Sequence, residues 1–312
     1  MYFNNNNNFF HGIMFHHFND EKLHKKSGNE QGSISKDQFY KIINFIEKKN
    51  ILDADVFFDK LREKKLKKNE VCLTFDDAIK SQYNIALPVL NDLKIKSFFF
   101  IPTAIYDHKN QSTLIEVFRH FRLNYFENID EFYLNFNKLV EKDLNAFFKK
   151  VEKNISIKKK FFPFYSTADI KFRLIRDLFL TKQEYESIML FMMNEKKYLP
   201  NEHSSILYLN KNDLNQLKSL GHSIGLHSHN HPTLLENLTS EVQKLEYEKC
   251  LSIICNILDI EKSEIKSMSH PSGSYNENTL EILKDLGIEI GFKSIMNIET
   301  EKGMKKINNS SL

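Results

Sequence analysis

The run Val71-Cys72-Leu73-Thr74-Phe75 is apolar enough to be a buried strand, and it stops abruptly on two adjacent carboxylates, Asp76 and Asp77. Deep apolar surroundings make two neighbouring ionised carboxylates costly, so the pair belongs at an open strand end, where a cation or solvent offsets their repulsion. A competing reading is an Asx turn or a helix N-cap, because Ala78-Ile79-Lys80 can start a helix.

The same punctuation recurs along the chain. Gly12 to Phe18 is a short apolar run closing on His16 and His17, followed by a polar loop from Asn19 to Gly32. Ser35 and Asp37 then open an amphipathic helix through Phe39, Ile42, Ile43 and Ile46. After Asp77, a helical spacing through Tyr83, Leu87, Leu90 and Leu93 leads to a strand over Ile95–Ile101 that ends at Pro102-Thr103. Ser223 to Leu226 runs into His227-Ser228-His229-Asn230-His231-Pro232, and a helix from Ser240 to Leu258 carries the apolar positions Val242, Leu245, Leu251, Ile254 and Ile257. Ile265 to Met268 rises to Ser269-His270-Pro271-Ser272-Gly273-Ser274-Tyr275, and a helix over Thr279–Leu286 precedes a last strand over Ile288–Ile295. Gly221 and Gly287 suit the left-handed position after a helix. Strand, helix, strand in repetition predicts parallel strands covered by helices.

One stretch departs from that rhythm. From about 104 to 205 aromatic and aliphatic residues crowd a region with few turn signals, which predicts a helical insertion between two strands of the main sheet. Within it Thr181 to Glu184 matches a capping box, and Tyr185, Ile188, Met189, Met192 and Met193 form a helical face suited to packing.

Composition narrows the function classes. Lys and Arg number 44 against 41 Asp and Glu, a net charge of +3 with the signs mixed, so no field points to nucleic acid. The basic stretch Lys60 to Lys68 reads as a solvated surface segment. Cys72, Cys250 and Cys255 lack zinc-knuckle spacing and read as reduced core residues. The amino terminus has no basic segment followed by a clean apolar one, and the longest apolar stretch, Phe98 to Tyr106, is about half the length that spans a bilayer. A cytoplasmic protein without a transmembrane segment is the expectation.

Nearly every strand thus delivers polar chemistry at its carboxyl end, the end where parallel α/β folds assemble sites. Two histidines and a carboxylate make a ligand set for zinc and similar cations that leaves a position for water. In a continuous strand His227 and His231 would stand about 13 Å apart at roughly 3.3 Å per residue, too far to share one ion, and only His227 with His229 would fit. If the chain turns after His227, His231 comes back beside it. Spacing alone does not choose.

Thr74-Phe75-Asp76-Asp77, Gly221 through Pro232, and Pro271-Ser272-Gly273-Ser274-Tyr275 resemble, in order and separation, the first three motifs of the polysaccharide deacetylase family, the metal-dependent deacetylases of NodB homology. The resemblance runs from about Gly12 to Ile295, with 104–205 outside the usual core. It implies one irregular parallel (β/α) barrel domain over 1–312, carrying the helical insertion. It also implies Asp76 as general base, and Asp77, His227 and His231 as ligands of one divalent cation, zinc with Mn2+, Co2+, Fe2+ or Ni2+ as the alternatives. The Pro271, Ser272, Gly273 and Tyr275 segment would bind substrate, with backbone N–H groups of the Ser272-Gly273 loop supporting the developing oxyanion.

Two departures are visible. Where the family often has an Arg two residues before the motif's Pro, this chain has Ser269, and no histidine follows His270 to serve as a late general acid. His16 aligns with a histidine that many members place after their first strand and is the candidate acid, with His17 and His270 as the other choices. The expected activity is removal of an N-acyl group, acetyl foremost, from an amino sugar or sugar conjugate. A soluble precursor, nucleotide-linked or lipid-linked, fits the absent export signal. The alternatives are an amidohydrolase-like centre using His227 and His229, or a non-catalytic carbohydrate-binding relative. The insertion is a candidate lid, substrate wall or homo-oligomer surface.

Overall fold

The computed structural model describes residues 11–19, 33–107, 115–161 and 165–294. Six strands, β1 (Gly12–Phe15), β2 (Cys72–Phe75), β3 (Phe98–Ile101), β4 (Ser223–Leu226), β5 (Ser267–Ser269) and β6 (Ile290–Phe292), form one sheet in chain order. Every adjacent pair is parallel. Each crossover carries helix: α1 (Lys36–Ile46) and α2 (Ala54–Arg62), then α3 (Leu87–Leu93). Between β3 and β4 lie α4 (Ile115–Asn124), α5 (Ile129–Leu139), α6 (Leu144–Lys150), α7 (Glu152–Phe161), α8 (Thr167–Leu174), α9 (Lys182–Glu195), α10 (Pro200–Leu207) and α11 (Lys211–Ser219). The last crossovers use α12 (Ser240–Leu258) and α13 (Glu277–Asp285).

The sheet curls into an open barrel, the α/β architecture that the motif order implies. β1 and β6 do not pair among the described residues, yet the curl brings them together, since a Cβ on Gly12 would lie 2.9 Å from the Phe292 ring. Strand parity divides the side chains. Leu73, Phe75, Phe99, Ile101, Ile224, Leu226 and Met268 face the helices and join the main core, while Cys72, Phe98 and Phe100 face inward and pack with Phe292. Gly225 is on the inward parity because nothing larger fits: a Cβ there would stand 2.7 Å from the Phe100 ring and 2.5 Å from the Ser267 carbonyl oxygen. Phenylalanines therefore fill the barrel interior at one end, and the inward positions at the carboxyl ends of the strands are left to polar groups.

The inserted segment carries α4 to α10 and runs on to Tyr208, and it builds a core of its own around Phe121, Phe132, Phe136, Phe172, Met189 and Met193. The methionine face of α9 packs there, and Thr181 and Glu184 form the anticipated capping box. Several expectations need adjustment. The strands expected from Ile95, Ile265 and Ile288 begin later, at Phe98, Ser267 and Ile290, and the last ends at Phe292; the loop over 20–32 and Ile295, the expected end of that strand, lie outside the described residues. On α12, Val242 and Leu245 point to solvent, 42% and 63% exposed. The buried stripe runs instead through Gln243, Glu246, Tyr247, Cys250, Leu251, Ile254 and Leu258. The three cysteines are free and buried, and no helix among the described residues is long and apolar enough to cross a membrane.

One buried histidine fixes the start of the central pairing. His222 Nδ1 accepts the Ser97 N–H at 3.1 Å, and its ring meets Phe99 edge-on at 5.2 Å. Burial, helped by the Lys96 ammonium, pushes its pKa down to about 4. An unfolded histidine titrates near 6.5, so the stability that the neutral ring contributes is complete above that pH and is lost as the pH falls toward 4. Between pH 7.5 and 4.5 the wild type should lose about 2 kcal/mol more unfolding free energy than His222→Gln. Urea denaturation at both pH values measures the difference, and equal losses in the two proteins would refute the assignment.

Candidate metal centre

The two carboxylates part company at the end of β2. Asp76 keeps the inward parity of Cys72 and Thr74 and is 2% exposed. Asp77 (φ 75°) and Ala78 (φ 54°) then adopt left-handed conformations, which swing the second carboxylate toward β4 instead of into a helix cap. Asp77 Oδ1 lies 3.2 Å from His227 Nε2 and 3.2 Å from His231 Nε2. One donor atom from each of Asp77, His227 and His231 falls within 4.8 Å of the others.

His231 reaches this position because the chain turns, the option that spacing left open. Ser228 (φ 59°) and His231 (φ 51°) are both left-handed, and the His231 N–H donates to Ser228 Oγ at 3.1 Å. From α12, Glu246 Oε2 accepts the N–H groups of His229 at 3.0 Å and Asn230 at 2.7 Å. The His229 carbonyl accepts the Ala104 N–H at 3.0 Å. With the turn fixed at these points, the rings of His227 and His231 approach to 4.7 Å between centroids.

The same turn sends His229 elsewhere. Its Nδ1 bonds Thr103 Oγ1 at 2.9 Å, its Nε2 lies 3.7 Å from Asp107 Oδ2, and it is not part of the three-residue cluster. His229 is thus engaged with Thr103 and Asp107, outside the cluster of Asp77, His227 and His231.

The donor set fits a divalent cation. His227 Nδ1–H donates to the Ser269 carbonyl at 2.9 Å, which orients Nε2 toward Asp77 as a lone pair. Burial works against the Asp77 carboxylate, but the His231 charge, the hydrogen bonds of His227 and His231, and His16 outweigh it and hold its pKa well below the usual range. Burial likewise opposes a charge on His227, and the carboxylates of Asp76 and Asp77 overcome it, raising its pKa. Positive charge is thus favoured around Asp77, as a cation site requires.

The three candidate acids occupy different environments. His16 Nε2 lies 3.6 Å from Asp77 Oδ2, with a third of its side chain exposed. His17 is half-buried and bonded through Nε2 to Glu116 Oε2 at 2.8 Å; desolvation, then the Arg119 charge, lowers its pKa despite Glu116. His270 is buried against Tyr275, centroids 4.4 Å apart, and burial, with the charges of His227 and Lys293, drops its pKa to about 3. His16 alone stands beside the cluster and open to solvent.

The Pro271 segment is less available than its motif suggests. Pro271 is buried, the Gly273 N–H is committed to the His270 carbonyl at 2.9 Å, and the Ser274 N–H to Pro271 at 2.9 Å. The Gly273 N–H is therefore not an oxyanion donor, because it closes its own turn. Ser272 is exposed, and the Tyr275 ring stacks on His270 and also has the Lys293 ammonium 4.8 Å from its centroid.

Several contributors carried no signal in the sequence. Gln82 Nε2 donates to the carbonyls of His16 at 2.9 Å and Asp76 at 2.6 Å, joining two strand ends. Glu116 and Tyr208 come from the insertion, and with Ile115 they line a cleft against Asp77, Pro102 and His231. Glu246 is another, an acid on the buried face of α12.

Residues 178–291 match the family model described as polysaccharide deacetylase. That span takes in the histidine turn and the Pro271 segment; Asp76 and Asp77 precede it, on the other side of the insertion. The fold is similar to the Streptococcus pyogenes deacetylase PplD in complex with acetate, at 16% identity over 91% of this chain and 82% of that one, TM-score 0.52. It is also similar to IcaB from Ammonifex degensii, at 13% identity over 90% and 82%, TM-score 0.50. A third likeness is to the de-N-acetylase from Aggregatibacter actinomycetemcomitans, at 12% identity over 90% and 86%, TM-score 0.52. At these identities the likeness is one of fold. No curated protein sequence matches the chain.

Metal titration separates the ligands from their neighbours. Asp77→Ala, His227→Ala and His231→Ala should each abolish stoichiometric Zn2+ binding, whereas His229→Ala retains it. Glu246→Ala, which frees the turn, should weaken binding roughly tenfold. Equilibrium dialysis reads all five, and retention in His231→Ala with loss in His229→Ala would reverse the ligand assignment.

Proposed function

We propose that this chain, of which residues 178–291 match the polysaccharide deacetylase family, hydrolyses the N-acetyl amide of an amino sugar or sugar conjugate. The observation that carries the reading is the convergence of Asp77, His227 and His231 beside the buried carboxylate of Asp76, at the carboxyl ends of parallel strands. A divalent cation held by those three residues supplies Lewis acidity, acidifying water and polarising the amide carbonyl. The acetyl group is chosen because the similar streptococcal deacetylase is described in complex with acetate, the product of such a reaction.

The chain's own groups perform the proton transfers. Asp76 takes a proton from the attacking water through Oδ1, the carboxylate oxygen that lacks a hydrogen-bond partner among the described residues. The water oxygen adds to the carbonyl carbon, the C–N bond breaks, and His16 delivers a proton to the departing amine, so that acetate and a free amine leave. Ile115, Glu116 and Tyr208 wall one side of the cleft. His16 is given the acid role on position, because it combines nearness to Asp77 with access to solvent.

A screen of the zinc-loaded protein against N-acetylglucosamine oligomers and nucleotide-linked N-acetyl sugars, with acetate release as the readout, tests the reading. Asp76→Asn should lower kcat by about a hundredfold or more while Zn2+ binding persists. His16→Ala should also lower kcat, by about tenfold or more. Absence of acetate from every substrate, with sugar binding retained, would establish the carbohydrate-binding reading instead.

A further inference from the structure

We propose that Ser269 is the positioning residue for the general base, a role that rests on the assignment of Asp76 above. Ser269 ends β5 and is 3% exposed. Met268 faces the helices with the main core, so parity turns Ser269 inward. Leu226 pairs with Met268 across β4 and β5, which makes His227 and Ser269 the next neighbours beyond the paired residues. The strand register thus brings Ser269 beside the histidine whose Nε2 faces Asp77.

From there Ser269 makes two bonds with separate consequences. Its hydroxyl donates to Asp76 Oδ2 at 2.9 Å, and its carbonyl accepts His227 Nδ1–H at 2.9 Å. One residue therefore sets the base and a metal ligand relative to each other. The one side-chain hydrogen bond to the base among the described residues comes from a neutral donor, with His227 Nε2 standing off at 3.9 Å from the same oxygen, so a substitution that removes the hydroxyl withdraws that bond without changing local charge. Only Oδ2 is engaged, and Oδ1, buried and without a partner among the described residues, is the oxygen left to receive a proton. Without the hydroxyl, Asp76 is free to rotate about its side-chain torsions, and the fraction of molecules with a correctly aimed base falls. The carbonyl bond to His227 is main-chain and survives any side-chain change.

That division supplies the test. Ser269→Ala and Ser269→Thr are compared with the wild type, each zinc-loaded, on N-acetylglucosamine oligomers. Ser269→Ala should lower kcat on the order of ten- to a hundredfold, the effect expected for losing a hydrogen bond to a charged group. KM and Zn2+ affinity should stay within about twofold, and Ser269→Thr, which restores a hydroxyl, should recover most of kcat. Crystal structures should find the Asp76 carboxylate rotated in Ser269→Ala and in place in Ser269→Thr. Wild-type kcat with an unmoved Asp76 in Ser269→Ala overturns the proposal, as does a parallel loss of kcat and Zn2+ affinity in both variants, which would mark a merely structural role. If the wild type releases no acetate, the deacetylase reading fails by itself, and the position of Asp76 in the two variants still decides whether Ser269 holds it.

Discussion

Asp76 and Asp77 are covalent neighbours at the edge of a packed interior, and what surrounds them keeps two like charges apart. Backbone conformation does this first. The strand carries Asp76 inward, and the left-handed turn at Asp77 and Ala78 redirects the next carboxylate through a sharp angle. Non-glycine residues in that region cost of order 1–3 kcal/mol each and persist only where the surroundings enforce them. Here Ala78 is fully buried and its carbonyl accepts the Leu209 N–H at 2.8 Å. Electrostatics completes the separation: a hydroxyl holds the first acid, and two imidazoles bracket the second.

The histidine turn solves the matching problem on the opposite strand. Two left-handed residues fold it back, and a single carboxylate, Glu246, collects two consecutive N–H groups that a tight turn would otherwise leave unsatisfied. An acid on the buried face of α12 would be a liability without those donors. With them, it holds the segment between His227 and His231 to the helix that packs beneath it. The centre is thus made of two strained turns facing each other, each fastened from behind by an element that contributes no ligand.

How much of this was legible follows from what a periodic pattern can carry. Strand parity is a period of two, so the convergence of inward residues at strand ends could be read from Phe75 to Asp77 and from Leu226 to His231. The pairing of His227 with His231 could not, because it depends on φ values at Ser228 and His231 that no period encodes. The stripe on α12 departs from the apolar pattern for a related reason: Val242 and Leu245 are apolar yet face solvent, and the 3.6-residue face through Cys250, Ile254 and Leu258 extends back to Gln243 and Glu246. Polar side chains buried for a purpose are invisible to a rule that sends them to solvent. Gln82 and Glu116 were hidden in the same way, whereas Ser269 showed itself as a departure from the resemblance, without revealing that its hydroxyl reaches Asp76.

The insertion bears on how a site split across the chain stays together. The residues that face each other, Asp77 and His227, are separated by the whole of α4 to α11, and closing the longer loop adds only about 2 kcal/mol over a short crossover, because the cost grows with the logarithm of length. Entropy is therefore a minor obstacle; alignment is the larger one. At its entrance the insertion is tied to the histidine turn, through Ala104 N–H and the His229 carbonyl. At its exit it is tied to the carboxylate turn, through Leu209 N–H and the Ala78 carbonyl, with Ile79 bridged to Tyr208. Ile105 packs against both the main core and the insertion's own. The two ends of the added segment thus grip the two halves of the centre that the segment divides in sequence, and Glu116 and Tyr208 close the cleft between them.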